Sequence, residues 1–263
     1  MSTELTRLES ALRRDRLVVI AGLVAVTLLA WGYLAYLRWR MSPAETMASM
    51  ASEMALPHAR SWGSVELLLL FAMWSVMMVA MMVPSVTPLI LMFARARRQR
   101  SSSGVVGSAA MLLLGYLTVW TAFSAVAAVT QWVLHRAALM SPMMVSASPV
   151  LGGTLLLLAG AFQFSPLKRV CLTHCRSPLH FVLTEVGHGW RGPFVIGLRH
   201  GAHCVGCCWN LMALLLVAGV MNLFWVAAIA LAVLVEKVAP AGRALGRMAG
   251  AALIAAGIVV LAR

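Results

Sequence analysis

Residues 65–93 read VELLLLFAMWSVMMVAMMVPSVTPLILMF, with one carboxylate at the start, two prolines near the end and otherwise almost only apolar side chains. A core helix of a soluble protein keeps one polar face for water, and this stretch has none. As a helix it is longer than the roughly 30 Å hydrocarbon thickness of a bilayer. The stretch therefore predicts a transmembrane helix. Similar apolar runs occupy 17–37, 108–134, 150–164, 204–220, 223–238 and 245–261. Together they predict an all-α, polytopic transmembrane helical bundle of about seven spans.

Composition agrees. The chain is 62% hydrophobic and 11% charged, against about 25% charged residues in a typical soluble domain. Lys and Arg number 21 against 8 Asp and Glu, but the basic residues lie between apolar runs rather than on a charged domain. That pattern points to a lipid bilayer as the partner and argues against nucleic acid. With the N-terminus cytoplasmic, only Arg38, Arg40, Arg60, Arg136 and Arg263 fall outside. The positive-inside rule thus predicts a multi-pass protein of the cell inner (plasma) membrane, N-terminus inside. The run at 17–37 is longer than a signal-peptide core and lacks a clear small-residue cleavage site, so it reads as a retained span. Residues 1–64 form an N-terminal span plus outside loop, in which a helix lying along the interface is expected at 38–64. Residues 65–263 form the second unit, a metal-binding type of membrane domain.

The chemistry is concentrated. Cys171, His174, Cys175, His180, His188, His200, His203, Cys204, Cys207 and Cys208 lie within one short window that holds all five cysteines of the chain. Two elements share a spacing, Cys171-x-x-His174-Cys175 and His200-x-x-His203-Cys204. If 200–208 is helical, His200, His203, Cys204, Cys207 and Cys208 fall within an arc of about 140°. Thiolate and imidazole together suit zinc or copper(I). The expected site is one-sided, at a membrane boundary, between a loop at 171–175 and a helix entrance at 200–208. The competing readings are cysteines buried as small apolar residues and thiol redox chemistry on the Cys-x-x-Cys spacing of Cys204 and Cys207. His180 and His188 stand apart from the shared spacing.

Methionine adds a second soft donor. Met73, Met77 and Met81 repeat every fourth residue in 65–93, and thioether sulfur favours copper(I). The same stripe is also ordinary packing for a membrane helix. Pro84 and Pro88 free backbone carbonyls in that run, which apolar surroundings tolerate only where another donor re-satisfies them. Glu66 sits at a helix entrance, and Glu236 beside Lys237 reads as a boundary ion pair. Glycines at 187, 189, 192, 197, 201 and 206 allow close helix approach or a re-entrant turn.

The strings MMVAMMVPSVTP, CLTHCRSPL, GLRHGAHCVGCCWNLM and GVMNLFWVAAIALAVLVEKVAP occur in this order. They resemble the DUF2182 family of predicted metal-binding integral membrane proteins, from about residue 65 to the C-terminus. The resemblance implies metal binding through Cys171 and Cys175 and through the segment of His200, Cys204, Cys207 and Cys208, with Gly201, Gly206 and Trp209 between and beside them.

Function follows as a set of alternatives. The first is a membrane protein handling copper(I) or zinc, with Cys171, His174, Cys175, His200, His203, Cys204, Cys207 and Cys208 as ligands and Met77 and Met81 as partners or entry path. A metallochaperone or metalloenzyme is the implied partner. The others are a membrane oxidoreductase using copper or a thiol pair, and an assembly subunit of a larger metalloenzyme. No nucleophile–base–acid constellation is visible, which favours a non-enzymatic role. Purified protein is expected to carry about one copper or zinc ion per chain. Cys204→Ser with Cys208→Ser should abolish that metal by elemental analysis, and copper that is lost on Met77→Leu with Met81→Leu would make the methionine stripe a ligand rather than packing.

Overall fold

The computed structural model describes residues 2–40, 63–100, 104–137, 148–177, 191–220 and 222–262. His180, His188 and the interfacial helix expected between the first two spans lie outside the described residues. Those described are helical, without strands: α1 (Ser2–Arg40), α2 (Ser64–Arg100), α3 (Val105–Arg136), α4 (Pro149–Phe162), α5 (Pro166–Arg176), α6 (Arg191–Ala213), the single turn α7 (Leu215–Ala218), α8 (Leu223–Val238) and α9 (Gly242–Leu261).

Local chemistry sets several boundaries. Glu66 accepts a hydrogen bond from the Gly63 amide at 2.9 Å in the first turn of α2. Ser148 and Ser165 each precede a proline and accept the Leu151 and Lys168 amides at 3.3 and 3.1 Å, starting α4 and α5. Gly219, at φ 87°, ends α7 in a conformation that disfavours any residue with a Cβ. The Asn222 side chain then accepts the Phe224 amide at 3.2 Å and opens α8.

Five helices among the described residues are long and apolar enough to cross a membrane: Arg14–Arg40, Ser64–Gln99, Val105–Arg136, Arg191–Ala218 and Gly242–Leu261. The α4–α5 pair, bent by 62°, makes a sixth if it counts as one span. Three of the seven expected runs therefore differ. The run at 150–164 is only the first limb of a bent pair, and α8 has 16 residues, about 24 Å of helix against a hydrocarbon layer of about 30 Å. The run expected at 204–220 starts instead at Arg191. Its first half is rich in Gly, Arg and His, which lowers hydropathy without preventing a helix.

Direction can be read from cross-helix contacts. α1 and α2 are antiparallel, with an Asp15–Arg98 ion pair at one level and the Trp31 indole N–H donating to the Ala80 carbonyl at 3.1 Å at another. That carbonyl is the one Pro84 deprives of its amide donor, and the indole supplies the missing partner there; the helix runs on through Pro88. α2 and α3 are also antiparallel, since Trp74 donates to Gln131 at 2.6 Å while Ser85 meets Tyr116. α3 and α6 run parallel: Gly115 faces Phe194, and Gly201 faces Val119. Parallel neighbours need a returning segment between them, and α4 with α5 provides it. Gly153 faces Leu261, Gly160 faces Gly250, and Arg176 reaches Gly242, so the bent pair lines the length of α9.

The outer surface carries many apolar side chains, with Leu28, Leu69, Val126, Leu158, Phe224 and Leu231 exposed, more than a water-facing surface favours. Trp74, Trp120, Tyr116, Phe93 and the methionines of α2 fill the centre. At the α3–α6 crossing a Cβ on Gly197 would run into the Leu112 carbonyl and the Tyr116 amide, both backbone. Gly197→Val should therefore cost about 3 kcal/mol or more, read as a lower unfolding midpoint in detergent. Gly22→Ala on α1, where a Cβ meets nothing within 4 Å, should leave the midpoint unchanged or slightly raised.

Candidate metal site at the α5–α6 seam

The segment at 171–175 is helical, not the expected loop. Pro166 and Ser165 start α5, and it packs against α6. The segment 200–208 lies in the middle of the Arg191–Ala218 helix rather than at its entrance. The two spaced elements thus face each other as helices. His174 and His203 meet edge-on with ring centroids 4.5 Å apart. One residue on along α5 and one turn on along α6, the sulfurs of Cys175 and Cys207 lie 4.0 Å apart. Cys171 faces Gly206, where a Cβ would come within 2.9 Å of its sulfur. All five cysteines are free thiols.

The arc expected for 200–208 is divided between two neighbours. His203 and Cys207, four residues apart, face α5. His200 and Cys204, also four apart, face α3 and α8. His200 is buried with its ring 5.9 Å from that of Tyr116, and the Cys204 sulfur is 3.0 Å from the Tyr116 hydroxyl. Cys208 is buried and donates its thiol to the Cys204 carbonyl at 2.9 Å, an acceptor that Cys207 shares at 3.1 Å. Met77 and Met81 are fully buried on α2, beside Met78 and Met82. The connection of α2 to the thiols is made one turn further on. The Met82 carbonyl accepts from Ser85 at 2.9 Å and from Tyr116 at 3.3 Å.

Two lysines complete the arrangement. The Lys237 ammonium donates to the Cys204 sulfur at 2.8 Å and to Ser85 at 3.2 Å. Glu236 does not pair with its neighbour Lys237. It takes Lys168 of α5 at 2.8 Å, and Lys168 also donates to Gln163. Successive residues of a helix point about 100° apart, so Glu236 and Lys237 face different neighbours. Arg176 then donates to the Glu236 and Ala239 carbonyls at 2.7 and 2.8 Å, closing the C-terminal end of α8. α5 is in this way tied to α8 at both ends while its thiols face α6. Lys168 belongs by sequence to a basic connection, and only the fold shows it buried. For Lys237 the signal is a cation at the end of a long apolar run. Tyr116 and Ser85 carry no such mark.

Among the described residues no three His, Cys, Asp or Glu side chains are arranged to hold one ion. The arrangement offers pairs: two sulfurs at one level and two imidazoles at the next. Two-ligand sulfur geometry is a copper(I) habit, whereas structural zinc takes four ligands. The model of the PpoB2 family, described as copper chaperone, matches residues 71–260. The chain belongs to that family. The match takes in every cysteine, His174, His200, His203 and all three methionines of the stripe, and leaves residues 1–64 aside. Of the two metals that the ligand types admit, copper is the one this copper chaperone family is named for. No curated protein and no solved structure matches the chain.

The ion pair on which this arrangement rests can be tested directly. Lys168 and Glu236 are both buried, so Lys168→Met leaves a carboxylate without its partner and should cost about 3–5 kcal/mol. Adding Glu236→Gln should recover most of that loss, measured as a double-mutant cycle by chemical unfolding in detergent.

Proposed function

We propose that the chain is a membrane-embedded copper(I) carrier that holds its cargo ion between Cys175 of α5 and Cys207 of α6 and hands it to a metallochaperone or metalloenzyme. The observation that carries this reading is the 4.0 Å between the two sulfurs. Two metal–sulfur bonds of about 2.3 Å set end to end span about 4.6 Å, so a small rotation of either side chain admits one two-coordinate ion. His174 and His203 stand on the same seam, one exposed and the other half-buried. They form the approach from the surface. Cys171 sits on the other flank. Met77 and Met81 offer soft sulfur further inside, suited to an ion that leaves the thiols along α2.

The family's description as copper chaperone supports this reading, as does the resemblance to DUF2182. The copper-handling unit is residues 65–263, with 1–64 a separate leading span. The basic residues favour the plasma membrane with the N-terminus cytoplasmic. The carrier role needs no substrate chemistry beyond ligand exchange, in which an acceptor thiol replaces one thiolate at a time on copper(I) and its proton passes to the departing thiolate.

Copper(I) affinity, measured by competition with a coloured copper(I) chelator in detergent, is the test. Cys175→Ser with Cys207→Ser should lower it by more than the roughly 10–100-fold typical of losing an outer-shell partner. Cys171→Ser should have a smaller effect. Unchanged affinity in the double variant would reject the seam as the site.

A further inference from the structure

The helices α5, α6 and α9 carry arginines at 169, 176, 191, 199, 243 and 247 and contain no Asp or Glu. Lys168 is buried against Glu236, and residues 177–190 add one carboxylate to the sequence, Glu185. Three of the arginines belong to the place where His174 meets His203. Arg199 is exposed and stands four residues before His203, one turn away on the same face of α6. Arg243 is also exposed; it crosses from α9 and donates to the hydroxyl of Thr173, the residue beside His174, at 3.3 Å. Arg176, two residues beyond His174, donates to the Glu236 and Ala239 carbonyls, neutral partners that leave its charge in place. The outer end of the seam, where His174 is exposed and His203 half-buried, is thus rimmed by guanidinium groups from three helices. A rim of that sign repels a hydrated copper or zinc cation and draws in a negatively charged complex. Thiolates are the soft ligands that hold copper(I), and two of them on one copper(I) make a complex of charge −1.

We propose that the α5–α6 seam is loaded from a small anionic bis-thiolate complex of copper(I) rather than from the bare ion, and that Arg199 and Arg243 steer that complex to the mouth at His174 and His203. The inference rests on the proposed function, since it supplies the cargo for that site. Ligand exchange conserves the charge. The Cys175 and Cys207 thiols replace the two donor thiolates in turn, and their protons pass to the departing sulfurs. A unit of charge −1 arrives and a unit of charge −1 stays, with no change in the oxidation state of copper or sulfur. Arg199 and Arg243 act on the encounter and form no bond to copper. Their mark is therefore a loading rate that depends on the charge of the donor and on salt.

The test measures loading rates of the full chain in neutral detergent, by rapid quenching and metal analysis of the separated protein. Three copper(I) donors are used: the tetrakis(acetonitrile) cation, the dithiothreitol complex, and the dimercaptosuccinate complex with its two further carboxylates. Each donor is compared with itself at low and high salt, which removes differences in donor lability. Salt should slow loading from both thiolate donors, most for dimercaptosuccinate, and speed it from the cation. Arg199→Gln with Arg243→Gln should load about tenfold more slowly from dimercaptosuccinate at low salt. Arg199→Lys with Arg243→Lys, which keeps both charges, should load like wild type. In high salt all three proteins should bind copper(I) with the same affinity, which shows the thiol site intact. Rates from the thiolate donors that respond neither to salt nor to the glutamine variants would overturn the steering role. So would glutamine variants that lose binding to anionic-lipid vesicles while loading from dimercaptosuccinate at the wild-type rate, since the arginines would then serve lipid headgroups. Either result leaves copper(I) carriage standing, whereas a wild type that takes copper from none of the three donors would overturn both.

Discussion

Glu236 has two lysines within reach of its helix turn, one beside it in sequence and one on α5, and it takes the one on α5. Much of the molecule depends on that choice. The pair Lys168–Glu236 ties α5 to α8, and Arg176 repeats the tie at the other end of α5 through the Glu236 and Ala239 carbonyls. With both ends of α5 fixed, the thiols and imidazole on its other face have one place to go, the middle of α6. The same choice leaves Lys237 without a carboxylate and turns it to Cys204. In surroundings with little water an ion pair is not optional decoration, because each charge left alone costs several kcal/mol.

Close backbone approach is the second condition. α3 and α6 cross where Gly115 and Gly197 leave no room for any side chain, which brings Tyr116 to the Cys204 sulfur and the His200 ring. α9 meets the bent α4–α5 pair through Gly250 and Gly257, and Glu236 itself occupies the space that a side chain at Gly246 would need. Such close contacts, together with polar pairs at the seams, hold apolar helices together. The polar pairs here are those that also place the thiols.

The outcome is a sulfur-rich interior whose two buried lysines both have partners. Soft, polarizable donors in a dry setting suit an ion that sheds water readily, and the pairwise arrangement of ligands suits low coordination. That is the chemistry expected of the copper chaperone family to which residues 71–260 belong. A tight four-ligand cage would hold an ion well but release it slowly.

Some of this was legible in the residue string. Uninterrupted apolar runs determined that the chain is a helical membrane-type bundle, because hydropathy and helix length are properties of a segment by itself. The Cys and His window, and the need for a donor near Pro84, were also written locally. The tertiary structure alone decided that 171–175 is helical and packs on α6, and that His203 and Cys207 face α5 while His200 and Cys204 face α3 and α8. It also decided that Trp31 serves the carbonyl freed by Pro84, and that Lys237 goes to sulfur. Each of those pairings joins residues far apart in sequence, and which of several chemically acceptable partners is taken depends on how close two backbones come. In this protein that distance is set by a handful of glycines and one buried ion pair, and no local periodicity reports it.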